Sequence, residues 1–126
     1  MKKKYGVAVA LLAGIAVGSL GTQMLKAQKS PPAYFIAEVD VNNPDEFKTY
    51  AAGVPATMAK YGGHYLVRGG KAEAVEGDAP KRIIVSEFKS LADAKKWYDS
   101  PEYSAIRPIR QRSAKSRLIV VEGVGE

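Results

Sequence analysis

The chain has 126 residues, no cysteine, a single histidine and a formal charge of +6 at pH 7. The length fits one domain. Disulfides, thiolate nucleophiles and cysteine metal sites are excluded, as is a multi-histidine metal centre within one subunit. The charge is not a nucleic-acid footprint: residues 1–30 hold five lysines and no acid, leaving 14 basic against 13 acidic side chains, about +1, on the rest. Binding to nucleic acid needs a basic patch on the folded domain, and the local group Arg107, Arg110, Arg112, Lys115 and Arg117 reads as a solvated charged face.

Met1 to Lys4 is a positive start, and Tyr5 to Leu20 is uncharged and built from Ala, Val, Leu, Ile and Gly. This is the layout of a secretory signal peptide, expected over residues 1–27. Leu25, two before Ala27, is large for a cleavage motif. The alternative is an uncleaved membrane anchor, because the run is close to the roughly 18 apolar residues that spanning needs. Both place the domain outside the cytoplasm, periplasmic or secreted, with a membrane contact only if the leader is kept. Residues 28–33, with Ser30-Pro31-Pro32, read as a spacer, and 34–124 as the domain.

Tyr34 to Val41 alternates and is rich in aromatic and β-branched residues, a strand signature. Asn43-Pro44-Asp45-Glu46 is a helix start, with Asn43 as N-cap and Glu46 reaching back. Phe47, Ala51, Val54, Met58 and Tyr61 form one helical stripe, interrupted by Gly53 and Pro55, which predicts a kinked helix ending at Gly62. His64 to Arg68 is a second strand between two glycine pairs, Gly62-Gly63 and Gly69-Gly70; neither pair is a phosphate loop, since no Lys-Ser/Thr and no helix follows. Lys71 to Glu76 suggests a short edge extension. Arg82 to Phe88 is a third strand. Ser90 with Asp93 caps a second helix, whose buried side carries Leu91, Ala94 and Tyr98 beside Trp97. Ser100-Pro101-Glu102 restarts a helix limited by Pro108, and Arg117 to Gly123 is the last strand.

Strand, helix, strand, strand, helix, strand is the split βαβ order of α+β ferredoxin-like folds, βαββαβ with a four-stranded antiparallel sheet. Helices cover one sheet face. The other parity is also mostly apolar, with one ionisable group per strand: Glu38, Arg68, Glu87 and Glu122. A second face this apolar predicts a two-fold homodimer; the alternative is a partly wet face on a monomer.

Gly62-Gly63-x-Tyr65-Leu66-x-Arg68-Gly69-Gly70, then Glu76-Gly77, Arg82, Glu87-Phe88, Trp97-Tyr98-x-Ser100-x-Glu102-Tyr103, Arg107 and Arg110 resemble domain of unknown function family 1330, over about residues 34–124. The resemblance implies a ferredoxin-like domain of the dimeric α/β-barrel superfamily. That superfamily includes cofactor-independent oxygenases, haem-handling enzymes, dehydratases and muconolactone isomerases. None of their catalytic motifs is matched here, so no catalytic residue is carried over. No cofactor and no metal site is expected.

Strand parity predicts Arg68 on the barrel side, where it either clamps a ligand carboxylate or enolate in two-pronged fashion or pairs with Glu87 or Glu38 to order the core. His64 is a candidate general base, imidazole being well suited to proton transfer near neutral pH, or a half-exposed residue at a strand start. Glu87 is a candidate base beside that cation or simply its counter-ion. Tyr103, Arg107 and Arg110 lie four and three apart, so they share a helix face. With Tyr98 they are candidates to line a pocket mouth and receive an anion, the alternative being a surface salt-bridge set with Glu102 and Asp99. Two functions follow: a dimeric barrel that binds a small acidic organic molecule, with cofactor-independent acid/base chemistry as an extension, or a non-enzymatic structural or interaction domain of the periplasm.

Overall fold

The computed structural model describes residues 30–125; the expected leader, 1–27, and the start of the spacer lie outside the described residues. Seven elements follow one another: β1 (Ala33–Val41), α1 (Pro44–Lys60), β2 (His64–Arg68), β3 (Ile83–Phe88), α2 (Leu91–Tyr98), α3 (Pro101–Ser113) and β4 (Ala114–Glu122). The sheet order is β2-β3-β1-β4, with every neighbouring pair antiparallel. This is the ferredoxin-like α+β arrangement, with three helices on one face of four strands.

The helix ends form where their capping residues dictate. Asn43 accepts the Glu46 N–H at 3.2 Å, Ser90 accepts from Asp93 at 3.1 Å and Ser100 from Tyr103 at 3.1 Å, each satisfying a donor that the first helical turn leaves free. Glu46 does not reach back as expected. The Asn43 N–H already donates to the Ser113 carbonyl at 3.0 Å, so the Glu46 carboxylate pairs with Arg112 instead. At the far end of α1, Gly62 takes φ +79°, its N–H donates to Ala59 and that of Gly63 to Met58. This is the paired closure that a left-handed glycine permits.

Three expectations are corrected. Residues 71–76 form no edge strand; the segment is exposed and mostly polar. Pro108 does not end α3, which continues to Ser113, because the last turn is held by burial of Arg110 and Ser113 and the Ser113 hydroxyl donates to Ile109. β4 starts at Ala114, three residues early, since Ala114, Ser116 and Leu118 continue the register against Val41, Val39 and Ala37.

The core lies between the helices and the odd parity of β1. Phe35, Phe88 and Trp97 meet edge-on or tilted at 5.1–6.1 Å, Trp97 packs on Tyr103 at 4.2 Å, and Val54 and Met58 close the α1 side. Rings at such separations add attraction beyond the area they bury. The Trp97 indole donates to the Thr57 hydroxyl at 3.0 Å, so its one polar atom is satisfied inside the core.

No helix among the described residues covers the opposite face of the sheet, the bare face. Tyr34, Ile36, Ile83, Val85, Val67, Ile119 and Val121 lie on it, with Ile119 51% and Val121 44% exposed. Two of its acids meet partners within the chain: Glu38 with Arg117 at 2.9 Å and Glu87 with His64 at 3.1 Å. Glu122 is not among them, because it stands opposite Ala33 and so shares the parity of the helix-covered side.

Candidate functional site

Between α1 and the covered face of the sheet the packing leaves a cavity of about 40 Å³, room for a few waters, a bound water needing roughly 10–15 Å³. Its walls are largely apolar: Phe35, Ala37 and Val39 from β1, Phe47, Ala51 and Val54 from α1, Ile84 from β3 and Leu118 from β4. Three guanidinium side chains also line it, those of Arg68, Arg82 and Arg110, and no Asp, Glu or His does. Among the described residues none of the three pairs with a carboxylate; Glu38, Glu46, Glu87 and Glu102 are taken by Arg117, Arg112, His64 and Lys60. Arg110 is buried and Arg82 half-buried, so positive charge there without a counter-ion is costly, whereas Arg68 is exposed.

Arg68 reaches this side through a defect in β2. His64 and Tyr65 pair with Glu87 and Ser86, but Val67 and Arg68 pair with Val85 and Ile84, so the strand carries one extra residue at a bulge between Tyr65 and Val67. A bulge of this kind reverses the facing of everything after it. Arg68 is therefore on the helix side and not on the bare face that alternation predicts. Its Nη2 donates to the Ala51 carbonyl at 3.1 Å, and its guanidinium lies 4.7 Å from the Tyr65 ring centre. Ala51 has an acceptor to offer because the residue four positions on is Pro55, which has no N–H to complete the helical bond.

Arg82 is held differently. Its carbonyl accepts the Val39 N–H at 2.9 Å, which fixes the chain just before β3, and its guanidinium lies 5.7 Å from the Phe47 ring centre. Gly69 makes the room: φ is +70°, and a Cβ there would stand 2.8 Å from the Arg82 Cζ. The Nε of Arg82 is buried with no hydrogen-bond partner. Arg110, 6% exposed, meets only neutral oxygens. Its Nε donates to the Tyr103 hydroxyl at 3.3 Å and Nη1 to the Ser116 hydroxyl. Burial works against the Arg110 charge, but Tyr103 and Tyr50 outweigh it and hold its pKa above the ordinary value.

Two tyrosines complete the wall. Tyr65 lines the cavity, and burial raises its pKa while Arg68 and Arg82 pull the other way. Tyr50 hydrogen-bonds Tyr103 through their hydroxyls at 2.7 Å, and burial, then Tyr103, push the Tyr50 hydroxyl far above its ordinary pKa. Both are neutral donors at physiological pH. The cleft can hold an anion and stabilise negative charge on an oxygen, while its lining offers no carboxylate or imidazole to abstract a proton.

The sequence-predicted residues are thus divided. Arg68, Tyr103 and Arg110 gather at or behind the cavity. His64 and Glu87 stand together on the bare face, so Glu87 is neither the counter-ion of Arg68 nor a base beside it. Tyr34 stands opposite Glu87, and its pKa is raised, by burial first and then by the Glu87 carboxylate. Arg107 lies 4.6 Å from the Tyr98 ring centre, donates to the Tyr98 carbonyl at 2.9 Å and to the Ser104 hydroxyl at 3.3 Å. Neither Arg107 nor Tyr98 lines the cavity. The salt-bridge alternative for α3 also differs: Glu102 pairs with Lys60 of α1 and accepts from Tyr61 at 2.8 Å. Sequence reasoning gave no role to Arg82, although it shares the parity of Ile84, Ser86 and Phe88, and treated Tyr50 only as aromatic area.

The family model described as "Domain of unknown function (DUF1330)" matches residues 32–124. No curated protein matches the sequence. Among solved structures, a protein of unknown function from Rhodopseudomonas palustris is similar at 16% identity and a TM-score of 0.63, covering 84% of this chain and 92% of that one. The cofactor-independent oxygenase SnoaB from Streptomyces nogalater is similar at 13% identity and 0.54, covering 75% and 95%. A putative antibiotic biosynthesis monooxygenase from Nitrosomonas europaea is similar at 13% and 0.51, covering 76% and 93%. At these identities the likeness is one of fold, the ferredoxin-like α+β fold.

Proposed function

We propose that this chain, which belongs to the DUF1330 family, binds a small organic anion in the cleft between α1 and the sheet. The observation that carries the reading is the set of three arginines, Arg68, Arg82 and Arg110, around an apolar cavity lined by no acidic side chain. A carboxylate or enolate supplies the missing charge; guanidinium groups suit this because they donate in a planar fork. Any chemistry here would act by stabilising negative charge on a ligand oxygen, with proton removal left to the ligand or to water.

Thermal-shift measurements on the full chain with a panel of small carboxylic acids test the reading, since a ligand of the folded state raises Tm. The expected result is a shift with at least one acid that Arg82→Ala abolishes. No shift with any acid, or a shift that Arg82→Ala leaves unchanged, sinks it.

The proposal includes the homodimer and the export. The bare face of the sheet, with its exposed Ile119, Val121, Leu66 and Val67, supports a second copy as its cover. The composition of residues 1–27 supports export, with cleavage or anchoring decided by mass spectrometry of the exported protein.

A further inference from the structure

The hydroxyl pair beside the cleft holds one proton more than its own hydrogen bond uses. Tyr50 and Tyr103 lie 2.7 Å apart through their oxygens, and Tyr103 also receives the Arg110 Nε–H. A guanidinium only donates, and a phenol has one proton. If Tyr50 donated to Tyr103, Tyr103 would accept twice and its own proton would point at nothing, in a residue with 0% exposure. Buried donors are rarely left so. The bonds therefore run from Arg110 to Tyr103 to Tyr50, and the Tyr50 proton is the one left over. Tyr50 lines the cavity, whereas Tyr103 does not.

We infer that Tyr50 presents its hydroxyl proton to the cavity and, together with the guanidinium groups that line it, selects ligands by their acceptor oxygens: small carboxylates and 2-oxo carboxylates, and not the matching amides. This rests on the anion-binding reading above and adds which atoms are recognised. Tyr50 and the three guanidinium groups are the cavity's fixed donors. The hydroxyls of Tyr65 and Ser86, which also line it, turn to suit either role. An amide bound to the same donors would bring an NH₂ with no fixed acceptor to meet it, and would leave three arginines unneutralised. Burial keeps Tyr50 protonated, and Arg110 at the head of the chain polarises both hydroxyls in the same direction.

Two measurements on the full chain test this. Neutron diffraction from deuterated crystals without ligand locates the Tyr50 deuteron directly. A deuteron turned into the cavity, with that of Tyr103 between the two oxygens, supports the inference; a Tyr50 deuteron lying between the oxygens overturns it. The second is an NMR titration with acetate, pyruvate and benzoate and with their three amides, on wild type and Tyr50→Phe. Phenylalanine keeps the ring, and a melt confirms that the variant folds. Carboxylate binding weakened about tenfold or more in Tyr50→Phe, as loss of one hydrogen bond to a charged group predicts, with the amides at least as much weaker on wild type, supports it. Equal affinity for wild type and Tyr50→Phe, or for acids and amides, overturns it. Absence of binding by all three acids removes the anion reading instead, and the neutron result still decides the Tyr50 proton.

Discussion

The two faces of the sheet treat charge in opposite ways. On the bare face Glu38 pairs with Arg117 and Glu87 lies against His64, each from the neighbouring strand, while Asp40 and Lys115 stand opposite one another at its exposed end. On the covered face Arg68, Arg82 and Arg110 surround one cavity and meet only carbonyls, hydroxyls and ring faces. A chain able to pair four carboxylates elsewhere leaves three guanidinium groups together without one. Matched ions suit a surface that must be covered by protein, because a buried pair is tolerable where a lone ion is not. Unmatched cations suit a surface that receives an anion from outside.

The largest expected effect separates the two faces at once. Ile119 stands opposite Ile36 in the middle of the bare face. If a second copy covers this face, Ile119→Asp places a carboxylate in an apolar interface, and dimer dissociation rises by about a hundredfold or more, roughly 3 kcal/mol. The cleft lies on the other side of the sheet, so acid binding by the subunit is unchanged. Sedimentation velocity across a concentration series reads the first effect, and the thermal-shift panel the second. A wild-type chain that sediments as a single subunit at all concentrations removes the dimer. A variant that loses acid binding in folded form removes the independence of the faces.

Much of this division was legible in the sequence. The alternation in β1 and β3 and the caps at Asn43, Ser90 and Ser100 are local signals, and the structure repeats them. Of the residues singled out as anion receivers, Arg68, Tyr103 and Arg110 lie at or behind the cavity and Arg107 and Tyr98 do not, and the side of the sheet that Arg68 takes was not legible. The reason is one extra residue in β2. His-Tyr-Leu-Val-Arg has no polar alternation to reveal a slip, and its partner Ile83-Ile84-Val85 is apolar on both parities, so nothing local marks the bulge. Arg82 was hidden because it was counted as the first residue of a strand. Glu122 was misplaced because alternation was judged without the register of β1.

Pro55 supplies the next test, because it decides what Arg68 holds when no ligand is present. Arg68 donates to a carbonyl that the proline leaves unclaimed. In Pro55→Ala the new N–H at position 55 takes the Ala51 carbonyl, and Arg68 loses its exclusive partner. A double-mutant cycle between Pro55→Ala and Arg68→Ala, read from urea unfolding, should give a coupling of about 1 kcal/mol, the net value of such a hydrogen bond. Arg68→Ala is then less destabilising in the alanine background. Zero coupling means that Arg68 contributes nothing through Ala51, and that the bulge serves only to aim its charge.

The smallest effect belongs to a matched pair away from both faces, where α1 meets α3. The Glu102 carboxyl is pushed down to about 2, chiefly by the hydrogen bond from Lys60, with backbone and Tyr61 donors adding to it. The Lys60 pKa is raised, chiefly by the hydrogen bond to Glu102. Glu102 is more acidic folded than unfolded, so the unfolded chain binds more protons through the window between the two values. Its stabilisation is complete above the ordinary value of 4.5 and is lost as pH falls toward about 2. For Lys60 the sign reverses: its contribution is present below the ordinary value of 10.5 and is lost as pH rises through the higher folded value. Because the pair is solvent-exposed its weight is small, and the expected observation is a difference in slope. Tm of wild type should fall more steeply than that of Glu102→Gln between pH 4.5 and 2, while acid binding at neutral pH is the same in both. Parallel Tm curves would mean that the pair carries no weight in joining α1 to α3. The roof of the cleft would then be held by the aromatic packing of Trp97, Tyr103 and Tyr50 alone, and its opening to a ligand would be insensitive to acid.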